Sequence, residues 1–186
     1  MVVEQVSFTR MEDGTKEEYQ LLERLEQGLH TDYVDRLLEW VQWNEGDTGY
    51  RISRFEHSLQ SASRAYRDGK DEEFVVCCLF HDIGDLISPY NHSQVAADML
   101  RPYISEKNYW IIRHHGLFQG YYYFHHFGGD RNARDMYKDH PWYDDTVEFC
   151  ARYDQNCFDP DYVSLPLEFF EPIARRVIST RHNDTP

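Results

Sequence analysis

The sequence has no long apolar segment and little cysteine. No run approaches the roughly 18 consecutive apolar residues of a membrane-spanning helix, and residues 1–20 lack the apolar core of a secretion signal. The four cysteines, Cys77, Cys78, Cys150 and Cys157, show no C-x-x-C spacing, and the adjacent pair suits packing better than a disulfide framework. We therefore expect a reduced, cytoplasmic protein with no membrane partner.

Positive charge is also scarce. Lys and Arg total 19 against 33 Asp and Glu, which gives a net charge of −14 with His neutral. A surface of this sign repels nucleic acids and anionic membranes, so we expect neither as the main partner. Bound metal cations would offset part of the negative charge.

The alternation of apolar and polar residues that marks a half-buried strand is absent. Apolar residues recur instead at helical spacing, and turn residues divide them into segments. At 186 residues the chain suits one all-α domain, residues 1–186, in which residues 1–15 and 181–186 are flexible. Asn91 is the expected cap of a helix that begins at residue 92. We predict helical segments over residues 16–43, 51–67, 72–82, 92–100, 106–115, 142–158 and 167–180, and a long loop over residues 116–141.

The stretch "CCLFHDIGDLI" (77–87) brings a histidine and an aspartate, His81 and Asp82, to the end of an apolar helix. An unpaired carboxylate costs several kcal/mol to bury, so Asp82 needs a cation. Imidazole and carboxylate ligands suit iron, manganese or zinc, and the lack of usable cysteines disfavours a structural zinc site. The other candidate ligands are His57, His92, either His114 or His115, and Asp154, while His125 and His126 stay undecided.

This pattern resembles the HD-domain superfamily, whose signature is a histidine, an HD dipeptide and a final aspartate on successive helices. Here these are His57, His81-Asp82 and Asp154, and the resemblance covers roughly residues 50–180. It implies an all-α helical core around one or two metals, with Asp82 bridging the metals where two are present. Most members are phosphohydrolases, so the reaction class needs separate evidence.

Two features favour an oxygenase over a hydrolase. Many HD hydrolases carry a lysine three residues after the aspartate, and this chain has Asp85 there, which would repel a substrate phosphate. His92 and His115 complete a set of four histidines and two aspartates that resembles the mixed-valent di-iron oxygenases. The alternative is an HD-domain metal-dependent phosphohydrolase or phosphodiesterase with the same ligands.

Local matches point to the phosphonate-degrading branch of these oxygenases. "FEHSLQSA" and "NHSQVAADML" resemble its first and third histidine helices, and "HGLFQGYY" resembles "HSFYPWH" of the more distant myo-inositol oxygenase. The last match favours His115 over His114 as the fourth histidine. Because inositol oxygenases are considerably longer, chain length also favours the phosphonate branch.

The resemblance implies two iron ions, Fe(II)/Fe(III), with O2 as co-substrate. The implied reaction is cleavage of the C–P bond of a 1-hydroxyphosphonate, a small-molecule substrate that an upstream hydroxylase would supply. The metal ligands carried over from the family are His57, His81, Asp82, His92, His115 and Asp154.

The substrate contacts depart from the family pattern. Relatives place a phosphonate-binding lysine where this chain has Gln119, and a phosphonate-binding arginine near the final aspartate, where Arg152 is the candidate. Arg131 and Arg134 would compensate for the missing lysine, since guanidinium groups bind oxyanions. The alternative for these arginines is an ordinary surface salt bridge.

Tyr50 indicates the nitrogen substitution of the substrate. Relatives that act on primary amines carry a glutamate seven residues before the first histidine, and Tyr50 occupies that position. A quaternary ammonium has no N–H and prefers aromatic faces, which Tyr50 and Tyr122 would supply. We therefore expect (R)-1-hydroxy-2-(trimethylammonio)ethylphosphonate as substrate, with glycine betaine and phosphate as products.

Overall fold

The computed structural model describes residues 4–46 and 49–179. Within these ranges the secondary structure is helical and contains no strand, which confirms the all-α prediction. The described α-helices are α1 (Lys16–Thr31), α2 (Tyr33–Trp43), α3 (Arg54–Arg67), α4 (Glu72–Phe80), α5 (His92–Leu100), α6 (Glu106–Tyr123), α7 (Tyr143–Phe149) and α8 (Leu167–Ile178).

The chain divides into two compact units between Arg36 and Leu37. In the first unit, the backbone N–H and the hydroxyl of Ser7 donate to the Glu18 carboxylate at 2.7 and 2.8 Å. The second unit contains α3 to α8 and every candidate ligand. The single domain and the flexible termini stay predictions, and residues 181–186 lie outside the described residues.

Helix α4 is the core of the second unit. Its residues 75–80 are all buried, and it packs against α3 and α8. A helix that is apolar around its whole circumference has to lie inside the protein. The helix ends at Phe80 rather than at the predicted residue 82, because the chain passes into a 3₁₀ turn over Ile83–Leu86. His81 and Asp82 therefore lie at the junction between the two.

A capping box sets the start of α3 at Arg54, three residues later than predicted. The Ser53 hydroxyl accepts from the Glu56 backbone N–H at 3.1 Å, and the Glu56 carboxylate accepts from the Ser53 backbone N–H at 2.7 Å. These two bonds satisfy donors that the first helical turn leaves free. The cap predicted for α5 is wrong, because the Asn91 side chain makes no capping bond and instead accepts from the Ser88 hydroxyl.

Helix α6 continues to Tyr123, so the prediction of a loop from residue 116 is wrong for its first eight residues. Two glycines, Gly116 and Gly120, lie inside the helix. At Gly116 the missing side chain permits close approach to α5, since a Cβ there would lie 2.5 Å from the Ser93 hydroxyl. The predicted helix over 142–158 is also shorter: α7 ends at Phe149 and a π-helical turn, Cys150–Asp154, follows it.

Gly84 generates the first testable prediction. A Cβ at Gly84 would lie 2.8 Å from the His92 carbonyl carbon, so Gly84→Ala has to displace the start of α5. We expect a loss of about 1–3 kcal/mol in the free energy of unfolding, measured by urea denaturation at equal metal content. Gly116→Ala is the matched control, because the group that it would meet is a hydroxyl able to rotate away. Equal losses in the two variants would contradict the prediction.

Candidate metal centre

The second unit brings the six predicted ligands together. His57 comes from α3, His92 from the first turn of α5 and His115 from the middle of α6. His81 and Asp82 follow α4, and Asp154 ends the π-helical turn. His92 retains 25 % side-chain exposure, while the other five are buried. The cluster is therefore internal, with one side open to solvent.

Three of these residues form one half of the cluster. The Nε2 atoms of His57 and His81 lie 3.1 Å apart. Asp154 Oδ1 lies 3.5 Å from His57 Nε2 and 3.9 Å from His81 Nε2. Two ring nitrogens and a carboxylate oxygen thus converge at a distance that suits coordination of one cation.

His92 and His115 form the other half, and Asp82 lies between the two. The Nε2 atoms of His92 and His115 are 3.3 Å apart, and Asp82 Oδ1 is 3.5 and 3.2 Å from them. The second oxygen, Asp82 Oδ2, is 3.6 Å from His57 Nε2 and 3.5 Å from His81 Nε2. Each oxygen of one carboxylate therefore faces a different pair of histidines, as a carboxylate that bridges two cations would.

Backbone carbonyls orient all four rings. The Nδ1 atom of each histidine donates to a carbonyl, which leaves the Nε2 lone pair free for a metal. The pairs are His57 with Cys157 at 3.0 Å, His81 with Cys78 at 2.8 Å, His92 with Pro89 at 3.1 Å, and His115 with Ile112 at 2.6 Å.

This arrangement passes a chemical test of fit for metal ions. Two Nε2 lone pairs that face each other at 3.1 Å repel unless a cation or a proton lies between them. Asp154 Oδ2 is buried and has no hydrogen-bond partner in the described ranges, so it is free to bind a metal. The group fits two cations with N and O ligands.

Electrostatics favour neutral imidazoles at His57 and His81, while the Asp82 carboxylate raises the pKa of His115 despite its burial. Burial lowers the pKa of His57, and burial lowers the pKa of His81 to about 3. Burial, together with the nearby Asp82 carboxylate, raises the pKa of Asp154 to about 8. Burial alone would also raise the pKa of Asp82, but the charges and hydrogen bonds of the surrounding histidines hold it well below its usual range. A metal would stabilise both aspartates in their charged form.

The remaining candidate histidines lie outside the cluster. His114 Nδ1 donates to the Trp110 carbonyl at 2.9 Å, and its ring stacks on Trp110 with centroids 3.7 Å apart. His125 and His126 lie on an exposed 3₁₀ turn after α6. Of the adjacent pair 114–115, the structure brings His115 to the cluster.

A cavity of about 450 Å³ opens onto the cluster beside His92. Three of the six predicted substrate contacts line it, namely Tyr50, Gln119 and Tyr122. This volume suits a small-molecule ligand.

The three predicted arginine contacts do not line this cavity. Arg131 and Arg134 lie against the Tyr121 ring, 4.2 and 3.8 Å from its centroid. Arg152 pairs with Asp68 at 2.7 Å and with Glu148 at 3.1 Å on the surface. Arg152 therefore forms the surface salt bridges of the alternative interpretation, whereas Arg131 and Arg134 make cation–π contacts.

Sequence reasoning missed Arg54, which lines the cavity. Its guanidinium contacts Asp85 and lies 3.7 Å from Asp82 Oδ2. The pairing offsets the Asp85 charge, so the argument that Asp85 would repel a phosphate loses its force. Spacing offered a signal, because a residue three positions before His57 lies on the same face of α3.

Phe158 was missed as well. Its ring stacks on His57 with centroids 4.3 Å apart, and Tyr50 stacks on Phe158 at 4.7 Å. The three rings form one wall that runs from the cluster to the mouth of the cavity. No spacing rule pointed to Phe158, since it belongs to a loop after the π-helical turn.

Comparison with protein families agrees with this geometry. The HD domain family model matches residues 54–146, half of the 186 residues. The chain belongs to the HD-domain family. The matched range includes the four histidines and Asp82, while Asp154 lies beyond it and is brought in by the fold. A buried His/Asp group in an HD domain fits a metal-dependent enzyme.

Comparison with curated protein sequences finds no match for the chain. Among the described helices, none combines the length and the apolar character that crossing a membrane requires.

The geometry predicts two metal ions per chain in protein purified without oxygen, as measured by elemental analysis. His92→Ala or His115→Ala should leave about one ion, because each removes a ligand from the same half of the cluster. Asp82→Ala should lower the occupancy of both halves, since the two share this carboxylate. His114→Ala is the matched control and should retain two ions. One metal in the native chain, or two in His92→Ala and His115→Ala, would contradict the bridged arrangement.

Proposed function

We propose that this chain is an HD-domain di-iron oxygenase that cleaves the C–P bond of a 1-hydroxyphosphonate with O2. The observation that carries the proposal is the placement of Asp82, whose two oxygens each face one pair of histidine nitrogens. The nitrogen and oxygen donors are compatible with iron, and iron is the proposed metal because the proposed reaction requires a metal that activates O2. One ion would be held by His57, His81 and Asp154, the other by His92 and His115.

Two iron ions bound there would supply O2 activation together with a Lewis acid that orients an anionic substrate. In the proposed reaction the C–P bond breaks, one oxygen atom of O2 enters the new carboxylate, and the other enters phosphate. The substrate carbon loses its hydrogen and the hydroxyl group loses its proton. Of these two hydrogens, one is released to solution as a proton and the other is carried by the phosphate product. The protein itself binds the substrate, orients it and limits the access of water.

The lining of the cavity supports a zwitterionic substrate. Arg54 provides a guanidinium beside the cluster, as an anionic phosphonate requires. Tyr50, Tyr123 and Phe158 provide aromatic surface for a quaternary ammonium. Burial raises the pKa of Tyr122 and of Tyr123, so both phenols stay protonated and neutral. These features support (R)-1-hydroxy-2-(trimethylammonio)ethylphosphonate as substrate, with glycine betaine and phosphate as products.

The proposal also covers the enzyme that supplies the substrate, the cellular location and the partners. The 1-hydroxy substrate implies an upstream hydroxylase that installs the hydroxyl group. We infer a cytoplasmic enzyme that acts on a small molecule. The net charge of −14 argues against a nucleic acid or an anionic membrane as partner.

A phosphohydrolase or phosphodiesterase is the second candidate. The specific observation that favours it is the contact between Arg54 and Asp85, which restores a cation near the place where many HD hydrolases carry lysine. The same metal ligands would then activate water rather than O2.

Oxygen uptake separates the two candidates. With metal-loaded protein we expect O2 consumption and phosphate release in equal amounts on a 1-hydroxyphosphonate, followed with an oxygen electrode and a phosphate assay. The same preparation should leave phosphate monoesters and diesters intact under strict anaerobiosis. Asp82→Ala, which removes the shared ligand, is the background control. Anaerobic ester hydrolysis without oxygen uptake on any phosphonate would establish the hydrolase instead.

A substrate series that differs in N-methylation tests the aromatic wall. We expect kcat/KM to fall steeply from the trimethylated to the unmethylated amine. Tyr50→Ala should lower kcat/KM for the trimethylated substrate by about 2- to 30-fold, the value of one cation–π contact. Tyr90→Ala, which alters a fully exposed ring that does not line the cavity, is the control. Equal or better turnover of the primary amine would refute the role of Tyr50 and leave the oxygenase proposal standing.

A further inference from the structure

The orientation of the Gln119 amide follows from its neighbour. Gln119 lies one turn after His115 on α6 and lines the cavity. Its Nε2 donates to Asp154 Oδ1 at 2.8 Å. The reversed amide would place the carbonyl oxygen of Gln119 against the carboxylate, and two acceptors repel. A cation held by His57, His81 and Asp154 would keep that carboxylate ionised, so that it can only accept. The carbonyl oxygen of Gln119 therefore points away from Asp154.

This carbonyl oxygen, Gln119 Oε1, needs a donor. It is buried and has no hydrogen-bond partner within residues 4–46 and 49–179. Buried polar atoms are rarely left in this state, because the loss of water is then uncompensated. Gln119 lines the cavity, so we assign a ligand bound in the cavity as the partner of this oxygen.

The chemistry of an acceptor excludes most groups of the expected substrate. A phosphonate dianion has no proton to donate, and a quaternary ammonium has no N–H. The hydroxyl group on the phosphorus-bearing carbon is the one donor that remains. The lysine of the related oxygenases would bind phosphonate from this position, whereas a glutamine carbonyl cannot.

We propose that Gln119 is a specificity residue that accepts a hydrogen bond from this hydroxyl and so selects 1-hydroxyphosphonates over their deoxy precursors. The inference rests on the function proposed above. The phosphonate is assigned to Arg54, the one lysine or arginine among the described residues that line the cavity. Discrimination matters here because an upstream hydroxylase would use the deoxy compound as its own substrate, so both compounds would be present together.

Binding without turnover tests the proposal. Isothermal titration calorimetry under anaerobiosis compares 1-hydroxy-2-(trimethylammonio)ethylphosphonate with 2-(trimethylammonio)ethylphosphonate on metal-loaded protein. We expect the native chain to prefer the hydroxylated compound by on the order of 10- to 100-fold, and Gln119→Leu to lose most of that preference. Gln155→Leu is the matched control, since Gln155 also lines the cavity but donates to the Ala151 carbonyl at 3.2 Å. It should keep the preference.

The outcomes separate this inference from the proposed function. A preference that survives in Gln119→Leu, or a native chain that binds both compounds equally, overturns the role of Gln119 even where O2 uptake persists. Equal weakening of both compounds in Gln119→Leu indicates a merely structural role and also overturns it. Hydroxyl-dependent binding that is lost in Gln119→Leu supports the inference, even if no oxygen is consumed and the oxygenase proposal fails. Binding of neither compound to the native chain overturns both.

Discussion

The carboxylate of Asp82 lies buried between two pairs of imidazole nitrogens, and the second unit is organised around it. A charge in this position is tolerated only where cations or hydrogen-bond donors surround it. Apolar α4 brings Asp82 into the core, and α3, α5, α6 and the π-helical turn each contribute a group that faces its oxygens or completes the same cluster. The backbone carbonyls that hold the rings in one tautomer extend this organisation to the surrounding chain.

Much of the candidate metal centre was predictable from sequence, because metal binding requires particular residue types at helix-compatible spacing. A histidine and an aspartate at the end of an apolar run have few structural explanations, so His81 and Asp82 stood out. The substrate side was less predictable. Arg131, Arg134 and Arg152 are long side chains whose direction depends on neighbours distant in sequence, and the structure turns them toward Tyr121, Asp68 and Glu148.

The errors in the helix boundaries have local physical causes. Glycine disfavours helix on its own, and the predicted helix stopped one residue before Gly116. The gain from packing α6 closely against α5 outweighs that preference, and only the tertiary structure shows it. At Ser53 the sequence did contain the answer, since Ser-x-x-Glu before a helix is a capping box. The same capping box makes Arg54 the first residue of α3, on the same face as His57.

The π-helical turn has a consequence for the comparison of homologous genes. Its bond from the Gln155 N–H to the Cys150 carbonyl, 3.0 Å long, closes over one residue more than an α-helical bond does. Loss of a single in-frame codon between them would restore an ordinary helix and rotate the position of Asp154 by about 100° around the axis. Every helix would survive, but the cluster would lose a ligand. An alignment that places its gap elsewhere in this region would pair the wrong residue with the final aspartate.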